Sequence, residues 1–91
     1  RFPNVAHVQA DIGQTYHQAK RYDLAVERYR QALKADPKDA ATWANLGAAL
    51  RAQGKEADAI AALRKAAELS PDNAEIQALL GDTAQSLAFS N

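Results

Sequence analysis

The sequence predicts an all-α fold built from stacked helix pairs, and three observations carry that prediction. Pro3, Pro37 and Pro71 recur at a spacing of 34 residues, and Gly13, Gly47 and Gly81 repeat the same step. Ala25 with Ala59 and Ala32 with Ala66 follow it too. A fixed period of about 20–50 residues marks a repeat architecture, in which each unit buries its apolar face only by stacking on a neighbour. Within each period the apolar residues fall at steps of three and four, the spacing of one helix face. Hydrophobic residues make up 47% of the 91-residue chain, a large share of them alanine, and only 7% of residues are aromatic. That composition suits closely packed helices better than a sandwich or barrel, which would draw on Val, Ile and Thr. A chain of this length is one small domain, too short for a deep globular core.

Residues 1–5 are expected to be a linker. Pro3 biases Phe2 away from the helical region, and Asn4 can cap the first helix. Arg1-Phe2-Pro3 occupies, in the repeat frame, the place of Ala35-Asp36-Pro37 and Leu69-Ser70-Pro71. It is therefore expected to be the tail of a preceding unit in a longer protein. From Val5 to about Ala19, the residues Val5, Val8, Ile12, Tyr16 and Ala19 form the apolar stripe of that first helix. Gly13 within that stripe costs roughly 0.5–1 kcal/mol relative to alanine. A close helix neighbour would explain it, and Ala25 is the expected small residue opposite.

The second helix is expected from Tyr22 to Ala35, with Tyr22, Ala25, Val26, Tyr29, Ala32 and Leu33 inward. Lys20-Arg21 forms the turn before it, where the next period has Gly54-Lys55. Gly54 can end a helix in the left-handed conformation, and Lys20 is expected to share that positive φ at a cost on the order of 1 kcal/mol. Asp36-Pro37-Lys38-Asp39 closes the unit, since proline cannot continue the helix and Asp39 can cap the next. Residues 40–52 then form a third helix with Trp43, Leu46, Gly47 and Leu50 buried. Residues 56–69 return as a fourth, burying Ala59, Ile60, Leu63, Ala66, Ala67 and Leu69. After Ser70-Pro71-Asp72-Asn73, a fifth helix from Ala74 to about Leu87 carries Ile76, Leu79, Leu80, Ala84 and Leu87. Asp72 with Glu75 has the spacing of a capping box.

This pattern resembles the tetratricopeptide repeat. Residues 6–39 and 40–73 are similar to two complete repeats, and 74–91 to the first helix of a third. Trp43, Leu46, Gly47, Ala59, Ala66 and Pro71 match the family's pattern in one repeat. Ile12, Gly13, Tyr16, Ala25, Tyr29, Ala32 and Pro37 match it in the other. The departures are mild: Leu50 and Leu63 stand where aromatics are usual, and Gln9 likewise. The resemblance implies a right-handed superhelix of five antiparallel helices, about two and a half repeats. The first helix of each pair would line a concave groove, and the second would face outward.

The candidate site follows from that arrangement. First-helix residues turned away from their own partner helix are His7, Ala10, Asp11, Gln14, His17 and Gln18 in the first repeat. The second supplies Ala41, Ala44, Asn45, Ala48, Arg51 and Ala52, and the third Glu75, Ala78, Leu79, Asp82 and Gln85. An alanine-floored trough with polar rims suits an extended peptide or an amphipathic helix. Asn45 offers a peptide backbone both a donor and an acceptor. Family members that clamp a C-terminal carboxylate place basic residues on the flanking helices. Here the equivalent places hold Ala10, Gln14, Glu75 and Leu79, so that mode is not expected.

Other chemistry has little to stand on. Lys plus Arg equals Asp plus Glu at 11 each, so no basic footprint for nucleic acid or an anionic membrane exists. Arg28, Arg30 and Lys34 form at most a weak basic patch on the outer side. With no cysteine there is neither a disulfide framework nor a thiolate metal site, and the redox compartment stays open. His7 and Asp11 share a helix face, with His17 further along, but a metal site needs at least three converging ligands. No metal or other cofactor is expected. No catalytic triad, paired inward carboxylates or glycine-rich phosphate loop is present, so no enzymatic role is expected. No apolar run approaches the roughly 18 residues of a membrane span, and no signal-peptide pattern opens the chain. The expected function is a protein-interaction scaffold that binds a partner's peptide or helix. The alternative is a self-assembling structural solenoid, or a spacer in a larger enzyme or secretion machine. Leu80, Ala84 and Leu87 on the fifth helix, with Phe89 loose beside them, are the expected contacts between copies.

Overall fold

A computed structural model describes residues 5–90, with the side chain of Ser90 outside the description. The expected cap at Asn4 falls outside it as well. Five helices follow one another: α1 (Val5–Gln18), α2 (Tyr22–Ala35), α3 (Ala40–Ala52), α4 (Glu56–Leu69) and α5 (Ala74–Ser90). The last runs three residues past its expected end, and no strand occurs among the described residues. Each helix packs antiparallel on the next. In addition, α3 touches α1 and α5, whereas no Cα of α2 comes within 8 Å of one in α4. The chain is thus a two-layer stack measuring 48 × 29 × 17 Å, with α1, α3 and α5 in one layer and α2 and α4 in the other. This is a right-handed α–α superhelix.

The two turns within the helix pairs are built identically. Lys20 N–H donates to His17 C=O and Arg21 N–H to Tyr16 C=O; Gly54 and Lys55 make the same bonds to Arg51 and Leu50. This Schellman pattern requires a left-handed residue after the helix end. Lys20 adopts it at φ 63° and Gly54 at φ 82°. The lysine carries the steric cost of its Cβ, and the glycine does not.

The caps depart from expectation. Asp39 stands at the N-cap of α3, but its carboxylate makes no backbone bond there. Its Oδ2 accepts instead from the buried Thr42 hydroxyl at 2.8 Å. At α5 the cap is Asn73, not Asp72. Its Oδ1 accepts from Glu75 N–H at 3.0 Å and Ile76 N–H at 3.3 Å. Glu75 is therefore the second helical residue, one place short of where a capping box needs it. Trp43 lies over the turn between repeats and donates its indole N–H to Pro37 C=O at 2.8 Å.

The core runs along the α2–α3–α4 contacts: Ala25, Val26, Tyr29 and Leu33, then Leu46, Ala49 and Leu50, then Ala59 and Ala62. Two corrections apply to the expected packing. The group nearest Gly13 is the Tyr29 ring rather than Ala25: a Cβ on it would lie 2.7 Å from ring carbons Cδ1 and Cε1. In α1, Val5 and Val8 are exposed, and the line closest to α2 runs through Ala6 and Gly13. The helices approach along the smallest residues, which turns the first two valines off the contact.

Candidate functional site

Ala41, Ala44 and Asn45 of α3 face Ala78, Leu79 and Asp82 of α5 across a cleft of about 480 Å³. The N-terminal end of α5 closes it with Asn73, Glu75 and Ile76. Its floor is methyl groups and the edge of Leu79. The charged groups in its lining are the carboxylates of Glu75 and Asp82. Polar surface comes from Asn45, which is half-buried and free to turn either end of its amide to a ligand. Small side chains on both walls leave room for a bound main chain.

The sequence-derived site divides here. Ala41, Ala44, Asn45 and Asp82 come together in the cleft. Ala48 and Arg51 lie further along α3, half-buried and outside it. His7 Nε2 and Asp11 Oδ2 meet at 3.2 Å on the exposed face of α1, and Gln14 is exposed beside them. His17 does not face the groove as expected. Its ring packs edge-on against Tyr22 and Tyr29 of α2, with centroids 5.4 and 6.3 Å away. Its Nδ1 is 3.4 Å from the Tyr29 hydroxyl. The turn brings Tyr22 back over the end of α1, and the imidazole fills the space beneath it.

Burial pushes the Tyr29 phenol up to about 12, since an ionised ring would lose its hydration. This phenol is a packing element. Arg28 also leaves the expected outer basic patch, because its Nη1 donates to Gln9 Oε1 of α1 at 3.1 Å. Among the described residues no three His, Asp or Glu side chains converge as metal ligands, and no helix is long and apolar enough to cross a membrane. Asn73 and Ile76 join the cleft without any sign in the sequence pattern. Both sit at a helix start, where helical spacing says nothing about which residues border the neighbouring repeat.

Comparison with known proteins agrees with the fold. The profile of the TPR repeat matches residues 13–54 and 47–87. The chain is 37% identical over 81 residues to mouse (Mus musculus) Superkiller complex protein 3, which covers 80% of this chain but 5% of that protein. It is 32% identical over 73 residues to the Peroxisomal targeting signal receptor of Candida albicans, covering 76% of this chain and 12% of that one. A crystal structure of MamA protein superposes with a TM-score of 0.86 at 30% identity, over 91% of this chain and 45% of that one. The chain spans a small part of the length of the curated relatives it matches. It belongs to the tetratricopeptide repeat family, a class of helical repeat that mediates protein–protein interaction.

Proposed function

We propose that the α3–α5 cleft holds an apolar stretch of a partner protein, extended or helical, with a basic group of the partner beside Glu75 and Asp82. The observation that carries this reading is the alanine floor shared by two helices of successive repeats, Ala41 and Ala44 opposite Ala78, with the Asn45 amide beside it. Extended peptides need a trough narrow enough for side-chain contact on both sides and a polar group for the main chain. The carboxylates disfavour an acidic ligand and favour lysine or arginine next to the apolar stretch. The role is binding and not catalysis. That the Candida albicans relative is named a targeting signal receptor supports peptide recognition by repeats of this kind.

The test is a selection of random twelve-residue phage-displayed peptides on the domain, followed by amide chemical-shift mapping of a selected peptide. Shifts centred on Ala44, Asn45 and Ala78 support the reading. Shifts elsewhere, with those amides unmoved, refute it.

A second reading, self-association through α5, is supported by Phe89, which is 82% exposed beside the half-buried Leu87. It predicts a concentration-dependent sedimentation coefficient that the Phe89→Glu variant abolishes.

A further inference from the structure

A larger cleft, about 660 Å³, opens in the other layer. Its origin is the topology: α2 and α4 both pack on α3 while their backbones stay more than 8 Å apart, Cα to Cα, which leaves a gap between them over α3. Trp43, Leu46 and Leu50 of α3 make the floor, with Leu33 of α2 and Ala61 and Ala62 of α4 as walls. Arg30 and Lys34 on α2 and Lys65 and Asp58 on α4 form the rim. Three cations against one carboxylate give the rim a net charge of +2, in a chain whose formal net charge is zero.

Two of those cations are uncommitted: Arg30 and Lys34 make no ion pair among the described residues. Lys65 reaches Glu68 only at 3.9 Å, with both side chains well exposed, and such a contact contributes little. The lining runs from Trp43 to Leu50 on α3 and from Asp58 to Lys65 on α4, so the trough is about 11 Å long, two turns of a helix. Apolar floor, cationic rim and length together specify an occupant.

We propose that this α2–α4 cleft is a second docking site, distinct from the alanine trough, for an acidic amphipathic helix of a partner protein. Its apolar face, at i, i+3, i+4 and i+7, would lie on Trp43 and Ala61–Ala62. Its Glu or Asp residues would flank that face and meet Arg30, Lys34 and Lys65. The half-buried indole makes a protein segment a better fit than a polyanion without an apolar face. The two clefts have opposite charge, so a partner segment is sorted between them by the sign of its flanks.

Trp43 is the single tryptophan of the chain, which gives the site its own optical report. The probe is a set of fifteen-residue helical peptides with Leu or Phe fixed at i, i+3, i+4 and i+7 and with Glu or Lys at the flanking positions. Glu-flanked peptides are expected to change Trp43 emission saturably and to bind at least tenfold tighter than their Lys-flanked counterparts. That preference is expected to shrink in high salt. The Arg30→Glu/Lys34→Glu variant is expected to invert it while its far-ultraviolet circular dichroism stays unchanged; Arg30→Glu alone serves if the double variant does not fold. Equal binding of the two peptide sets overturns the proposal. So does a preference that survives charge reversal, or amide shifts confined to Ala44 and Ala78. A peptide that shifts only those two amides would leave the reading of the α3–α5 cleft standing, so the two readings fail separately.

Discussion

Gly47 lies against Leu63 so closely that a methyl group on its Cα would come within 2.6 Å of the leucine Cγ and 2.9 Å of Cδ2. The Ala59 carbonyl oxygen would stand 3.2 Å away on the same side. One period earlier, Gly13 meets Tyr29 in the same way. Each helix pair closes on its glycine, at the point where no side chain holds the two backbones apart.

Gly81 occupies the same repeat position in α5, yet nothing lies within 4 Å of where its Cβ would be. Opposite outcomes follow from one substitution. Gly47→Ala is expected to destabilise by about 1–2 kcal/mol, because overpacking costs about 1–3 kcal/mol and the helix propensity gain returns only about 0.5–1 kcal/mol. Gly81→Ala is expected to stabilise by about 0.5–1 kcal/mol, from propensity alone. Urea denaturation of the two variants gives both signs; a stabilised Gly47→Ala would contradict the close approach.

The start of α5 depends on one side chain. Asn73 Oδ1 accepts from two backbone N–H groups that no helical carbonyl reaches. Asn73→Ala is expected to cost about 1 kcal/mol. Asp72→Ala, one residue earlier and exposed, is expected to change stability by less than about 0.5 kcal/mol. Amide exchange at Glu75 and Ile76 should accelerate only in the first variant.

That pair of neighbours shows where a sequence stops being legible. Helix number and order follow from periodicity, and the positive φ of Lys20 follows from its alignment with Gly54. These depend on chain-local properties that repeat every 34 residues. Which side chain reaches Gly13 first depends instead on where along α2 the two helix axes come closest, because Ala25 and Tyr29 are neighbours on one face about a turn apart. The cap of α5 is hidden for a similar reason, since Asp72 and Asn73 are both good caps and only the position of the first turn chooses between them. In the candidate site, Ala41, Ala44, Asn45 and Asp82 are legible as one face. The loss of His17 from that face is not, because its aromatic partners Tyr22 and Tyr29 lie on the next helix. The α2–α4 cleft has no signature in either helix alone; it exists because two helices share a third.

Tyr29 makes the fold sensitive to alkali. Its phenol is raised from 10.0 to about 12 by burial, so the folded chain holds the proton after the unfolded chain has released it. The unfolded state then binds fewer protons, and stability falls as pH rises from about 10 towards 12. The loss is expected to be on the order of 1–2 kcal/mol, with no contribution from this group below pH ~9. Comparing urea midpoints at pH 9 and pH 11.5 for the wild type and Tyr29→Phe isolates the effect. The wild type should lose more than the phenylalanine variant, and parallel losses would contradict the assignment.

The most direct test of the proposed function fills the alanine trough without disturbing the fold. Ala44 is half-buried on the cleft wall, and Ala44→Gln adds volume there while keeping a good helix former. The measurement is the calorimetric Kd of a phage-selected peptide for the wild type and this variant, beside their urea midpoints. The account predicts at least a tenfold weaker Kd, about 1.4 kcal/mol, with an unchanged midpoint. An unchanged Kd in a fully folded Ala44→Gln protein would contradict it.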